Sequence, residues 1–202
     1  HNRCRRQRQM CIRDSICCRG SGYHVLRSIH AFSLRLSIVL QGLNMENFTG
    51  KLAVITGGAS GVGFAIGEAL AKEGAKVILT DIEADSLETS AKALTDQSLD
   101  VHFKVADVSN PESMMQLAKW CESEFGSVHL LFNNAGVAPA ELLPIWQTKP
   151  NDWQWAFGVN VMGVLHGIQS FVPAMMAHGE GGRVINTCSG NGAFINLPST
   201  PI

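Results

Sequence analysis

The feature that most constrains this chain is a short apolar run that passes through a glycine-rich turn into a helix. Leu52-Ala53-Val54-Ile55 is too short for an ordinary helix and is bounded by turn residues, so it reads as a strand buried on both faces. Thr56-Gly57-Gly58-Ala59-Ser60-Gly61-Val62-Gly63 follows. From Val62 to Lys72 the pattern is helical, and Gly74 is suited to close that helix. A helix that begins directly after such a turn presents unbonded N–H groups and the positive end of its dipole, which together favour an anion. On this reading Gly57 permits the tight turn, Gly61 lets a pyrophosphate approach the backbone, and Gly63 lets helix and strand pack closely. Thr56, Ser60 and Val62 complete the turn expected to receive that anion.

The same alternation continues. Val77-Ile78-Leu79 reads as a second strand closed by Asp81, Glu83 to Leu94 as a polar-faced helix, and Val101 to Val105 as a third strand. Pro111 to Phe125 reads as a helix with proline in its first turn, Val128 to Phe132 as a fourth strand, Trp153 to about Met176 as a long helix, and Arg183 to Asn186 as a fifth strand. Apolar strands alternating with helices predict an α/β fold, a Rossmann-type doubly wound parallel sheet covered on both faces. Repeats, low-complexity tracts and membrane spans are not expected. A carboxylate at the end of the second strand can accept hydrogen bonds from both hydroxyls of an adenine ribose and would repel a 2′-phosphate. No Lys or Arg stands in the glycine turn or just after Asp81, so NAD is expected over NADP.

The spacing of the turn is TGxxxGxG, and Asn133-Asn134-Ala135-Gly136 follows the fourth strand. With Ala106-Asp107-Val108 after the third strand, Val159-Asn160-Val161-Met162-Gly163 in the long helix, and Arg183-Val184-Ile185-Asn186-Thr187-Cys188-Ser189 at the end, residues 50–202 resemble the classical short-chain dehydrogenase/reductase family. The resemblance implies that Asp107 and Val108 lie at the adenine, that Asn133, Ala135 and Gly136 belong to the cofactor site, and that Ser189 and Asn160 are catalytic. In that family a serine hydroxyl orients the substrate oxygen, and a helical asparagine binds a water that links a lysine to solvent. A tyrosine, its pKa lowered by that lysine and by the nicotinamide charge, moves the proton. The tyrosine is expected about five residues after Pro198, at position 203, with the lysine four further on. The chain is therefore expected to be the truncated front part of such an enzyme. The parent's substrate would be a small alcohol or carbonyl compound. It would be a cytoplasmic homo-oligomer, dimer or tetramer, with neither nucleic acid nor membrane as a partner.

Charge sets the first 44 residues apart. They hold eight Arg and one acid, Asp14, a net of +7; residues 45–202 hold seven Lys, Arg183 and sixteen acids, a net of -8. Such a basic segment could be a transit peptide or a basic arm. The run Arg5-Arg6-Gln7-Arg8-Gln9-Met10-Cys11-Ile12-Arg13-Asp14-Ser15, however, matches at all eleven positions the translation of a transposon-end sequencing adapter. Residues 1–44 are accordingly expected to be an artefactual extension, and 45–202 an incomplete NAD-binding Rossmann domain. Cysteines split the same way, with only Cys121 and Cys188 in the domain. None has metal-ligand spacing to a histidine, so no metal is expected. His102, His129, His166 and His178 stand at unrelated spacings and read as structural or surface residues; Trp146, Trp153, Trp155 and Phe157 read as packing or subunit contacts. Val137 to Leu143 follows the fourth strand on the cofactor side and is a candidate lining for a substrate pocket. The alternative to an enzyme is a dinucleotide-binding protein that kept the fold without catalysis, although pure binding would need neither Ser189 nor Asn160.

Overall fold

The computed structural model describes residues 47–138 and 144–188. Residues 47–137 and 148–188 belong to one compact unit; Ala138 and residues 144–147, with a single 3-10 turn at Ile145–Gln147, belong to a second. The expected extension at 1–44, Ser189 and most of 137–143 lie outside the described residues.

The first unit alternates as its sequence predicts. Strand β1 is Leu52–Thr56 and helix α1 Gly61–Lys72; β2 is Lys76–Asp81 and α2 Ala84–Thr95; β3 is Val101–Val105 and α3 Pro111–Phe125; β4 is Val128–Asn133 and β5 Arg183–Asn186. The strands form one parallel sheet in the order β3-β2-β1-β4-β5. The chain therefore runs outward from β1 to one edge, then returns beside β1 to build the other half. That reversal lies between β1 and β4, where open α/β sheets hold ligands beyond the carboxyl ends of their strands. The central strands are buried throughout, β1 and β4 at every position, in keeping with a sheet covered on both faces.

Local chemistry starts the helices. Helix α3 begins where Asn110 Oδ1 accepts the N–H groups of Glu112 (2.9 Å) and Ser113 (3.3 Å), with Pro111 in the position where a missing N–H costs nothing. The long helix starts at Pro150, three residues before the expected Trp153, with proline again in the first turn but no side-chain cap from Lys149. It comprises α4 (Pro150–Phe157), one π-helical turn at Gly158–Met162, and α5 (Gly163–Ala177). Gly163, His166, Gly167, Phe171 and Met175 form its inward stripe at helical spacing and pack on β4 and α3. With α4 and α5 continuous through the π turn, Pro150–Ala177 is long and apolar enough, by length and composition, to cross a membrane. The sequence pattern did not anticipate this, because the polar residues of α4 interrupt the apolar run. Its buried residues lie on the inward stripe of α5, while α4 and the π turn bury none.

Candidate functional site

The carboxyl ends of β1, β4 and β5 are joined by side chains. The buried Thr56 hydroxyl donates to the Phe132 carbonyl (3.2 Å) and accepts from the N–H groups of Asn134 (2.9 Å) and Ala135 (3.0 Å). Asn134 Nδ2 donates in return to the Thr56 carbonyl (3.0 Å), and the Thr187 hydroxyl donates to Asn134 Oδ1 (3.1 Å). Asn133 turns the other way: its Nδ2 donates to Asn186 Oδ1 (2.9 Å), and its carboxamide lies against Gly167 of α5, where a Cβ would collide with it. Thr56 and Asn133 thus hold the strand ends together. The hub is Asn134, which the sequence reading left out. An Asn-Asn pair at a strand end puts its two side chains on opposite faces, and only the fold shows which one meets the glycine turn.

The glycine turn presses on this hub. A Cβ at Gly57 would lie 2.8 Å from Ala135 Cα, and one at Gly63 would lie 2.6 Å from Asn134 Nδ2 and collide with the Gly57 carbonyl. Gly63 therefore packs the helix start against the turn and Asn134. Gly61 differs: at φ +56 its backbone is left-handed, and nothing lies within 4 Å of where its Cβ would be. Ser60 precedes α1 in extended conformation without making a side-chain cap, and the first turn of α1 contains no acid. Among the described residues the result is an open helix start whose own first turn carries no negative charge, a fit for a pyrophosphate.

Asp81, partly exposed at the end of β2, stands beside that opening. Its Oδ2 accepts from Ala59 N–H (3.2 Å) and its Oδ1 from Glu83 N–H (3.2 Å). Asp107, beyond β3, uses Oδ1 to accept the N–H (2.8 Å) and hydroxyl (2.7 Å) of Ser109, while its own N–H donates to Ser113 Oγ (3.0 Å). Val108 is buried beneath Gly163, and its carbonyl accepts from the buried His166 ring at 2.9 Å, so His166 is structural, as expected. Asn160 sits in the π turn. Its Oδ1 accepts from Val137 N–H (2.8 Å) and its Nδ2 donates to the Val137 carbonyl (2.9 Å), clasping the backbone just beyond Gly136. Single π turns are frequent at functional sites.

Elsewhere, Trp153 and Phe157 are exposed in this chain, and Trp153 Nε1 donates to Thr148 Oγ1 (2.8 Å). Among the described residues no group of His, Cys, Asp or Glu could hold a metal ion. A groove of about 540 Å³ runs between α3 and α5 past the start of β4 and contains none of these site residues. It lies at the amino end of the strands, away from the glycine turn.

A family model described as short chain dehydrogenase matches residues 51–200. The chain belongs to the short-chain dehydrogenase/reductase family. It is 36% identical over 152 residues to a C alpha-dehydrogenase of a Sphingobium species, a match covering 75% of this chain and 49% of that protein. A short-chain dehydrogenase/reductase from Burkholderia phymatum, solved in complex with NAD, superposes with a TM-score of 0.70 at 43% identity, over 73% of this chain and 52% of that one. A metagenomic short-chain oxidoreductase solved with NADP superposes with a TM-score of 0.65 at 29% identity, over 69% of this chain and 62% of that one. The chain spans about half the length of the curated relatives it matches. Family membership, the parallel Rossmann-type sheet and the oxidoreductase class agree with the sequence reading. Its relatives are named dehydrogenases and reductases, and those solved with a cofactor hold nicotinamide dinucleotides of both kinds.

Proposed function

We propose that the parent protein is an NAD(H)-dependent oxidoreductase that interconverts a small alcohol and the corresponding carbonyl compound. The observation that carries this reading is the juxtaposition of Asp81 with the open start of α1. The Ala59 N–H that Asp81 holds belongs to the turn leading into that helix. A carboxylate there receives ribose hydroxyls and opposes a 2′-phosphate, and neither the turn nor residues 82–85 supply a cation to offset it. NAD is therefore favoured over NADP.

In this assignment Gly57, Ser60, Gly61, Val62 and Gly63 hold the pyrophosphate, Asp107 and Val108 border the adenine, and Asn133, Ala135 and Gly136 border the nicotinamide half. Thr56 serves through the hydroxyl bonds that fix Asn134 and Ala135. The nicotinamide, when bound, accepts or donates the hydride. Ser189, two residues beyond Thr187, would hold the substrate oxygen. Asn160 would act from the π turn, and a tyrosine encoded at about position 203 would carry the proton. The parent works as a cytoplasmic homo-oligomer on small molecules.

The test is steady-state kinetics of the full-length gene product on a panel of alcohols and ketones with each cofactor. The expected result is turnover with a higher kcat/KM for NAD than for NADP. Comparable or better efficiency with NADP would remove Asp81 from the ribose. Tight NAD binding without turnover on any substrate, with no tyrosine encoded near 203, would instead favour a non-catalytic dinucleotide-binding protein.

A further inference from the structure

Three hydrogen bonds tie the glycine turn to the β2–α2 unit. Gly58 N–H donates to the Thr80 carbonyl at 2.9 Å, Ala59 N–H donates to Asp81 Oδ2 at 3.2 Å, and the Ser90 hydroxyl donates to the Ala59 carbonyl at 2.7 Å. The first two come from strand β2. The third and shortest comes from the middle of helix α2, thirty-one residues along the chain. Ala59 is buried, 4% exposed, and both of its backbone polar groups are thereby fixed, N–H by Asp81 and C=O by Ser90.

The Ala59 carbonyl shares its peptide plane with the Ser60 N–H. In a trans peptide the two point in opposite directions. The Ser90 bond therefore aims the Ser60 N–H away from α2, and that N–H has no partner among the described residues. Ser60 leads into α1 in extended conformation, so the plane of this peptide also sets where the helix start stands relative to Asp81.

We propose that Ser90 is a positioning residue for the cofactor, fixing the spacing between the open start of α1 and the Asp81 carboxylate. The inference rests on the cofactor reading above, which puts the pyrophosphate at the first and the adenine ribose at the second. It makes a distinction that a merely structural serine would not. A ligand that spans both places feels Ser90; a ligand that occupies only the nucleoside side does not.

The experiment titrates ADP-ribose and adenosine separately into the full chain and its variants by ligand-observed NMR. Ser90→Ala should weaken ADP-ribose about three- to tenfold, the worth of one hydrogen bond, and leave adenosine unchanged. Ser90→Thr keeps the hydroxyl and should restore ADP-ribose affinity. Because both ligands are measured on one preparation, a partly unfolded variant lowers the stoichiometry of both titrations without changing the ratio of their affinities. Unchanged ADP-ribose affinity in Ser90→Ala, or an equal loss for both ligands, overturns the positioning role while leaving the cofactor site standing. Failure of the unaltered chain to bind either ligand overturns the cofactor reading and this inference with it.

Discussion

The β1–β4 seam has an irregularity that a single substitution can probe. Leu52 pairs with Val128, but Ala53 pairs with Leu130, so His129 is the extra residue of a bulge in β4. Its ring takes over the bond that the bulge disturbs: Leu52 N–H donates to His129 Nδ1 at 3.2 Å. Nε2 must then carry the proton, and it donates to Glu180 Oε2 at 2.9 Å. Beside it His178 Nδ1 accepts from Glu180 N–H (3.0 Å) and its Nε2 donates to the Val128 carbonyl (3.1 Å), with the two rings 5.3 Å apart. Leu52 and His129 are 2% and 5% exposed, so water cannot substitute for the imidazole. His129→Leu, similar in volume, would leave one buried N–H unsatisfied and should cost about 1–3 kcal/mol. Equilibrium urea unfolding at pH 7.5 measures it, and a loss below about 0.5 kcal/mol, the ordinary surface range, would refute the reasoning. Acid supplies a second readout. The hydrogen bond from His129 holds the Glu180 carboxyl below the ordinary glutamate value of 4.5. The unfolded chain then takes up that proton first, so the contribution of Glu180 is complete above about pH 4.5 and fades as pH falls through the lower folded value. The stability difference between the parent chain and Glu180→Gln should shrink over that acid range.

Other outcomes follow from the site itself. Asp81→Ala should weaken NAD binding by roughly 1.5–3 kcal/mol, the worth of charge-assisted hydrogen bonds, and narrow the preference over NADP; titration with both cofactors measures it. Gly63→Ala puts a methyl group against Asn134 Nδ2 and the Gly57 carbonyl, and should destabilise the chain by about 1–3 kcal/mol and weaken NAD binding, checked by urea unfolding and titration. Burial pushes the Cys121 thiol up to about 12, so it should resist iodoacetamide at pH 8 in the native protein and react in urea, while the exposed Cys188 reacts in both; peptide mass mapping distinguishes them.

What the sequence revealed is what local pattern controls. The strand–turn–helix at Leu52 to Lys72, the apolar strands and the acid at Asp81 depend on residue order within short windows, and the fold has them within a residue or two of their expected bounds. What it concealed depends on partners far along the chain. The bulge at His129 exists only in pairing with Leu52, 77 residues away, so the histidine reads as an isolated polar residue. The π turn carries Asn160 onto the backbone of Val137, 23 residues earlier, and nothing in Gly158–Met162 distinguishes it from ordinary helix. Ser90 looks like one more polar residue on a solvated helix face until α2 packs beside the glycine turn. Pro150 was a local signal for the start of α4 that the apolar pattern beginning at Trp153 obscured.

Side chains fix the β1–β4 seam at both ends. At the amino end of the β1–β4 seam a side chain, His129 Nδ1, accepts a backbone N–H; at the carboxyl end another, Thr56 Oγ1, accepts two. A parallel strand pair has no hairpin turn to set its register, and the apolar residues along β1 and β4 are too alike to set it by shape alone. Directional bonds at both ends exclude a slipped register, because any shift would leave buried N–H groups without acceptors. The register matters because β1 delivers the glycine turn and β4 delivers Asn134-Ala135-Gly136, and the two pack so closely that a Cβ at Gly57 would lie 2.8 Å from Ala135 Cα. β5 is joined differently: beyond its ladder to β4 it is held through Asn186 and Thr187, and most of its residues are exposed. The structure thus concentrates its rigidity in the seam that would carry the dinucleotide and leaves the strand leading to Ser189 more lightly held.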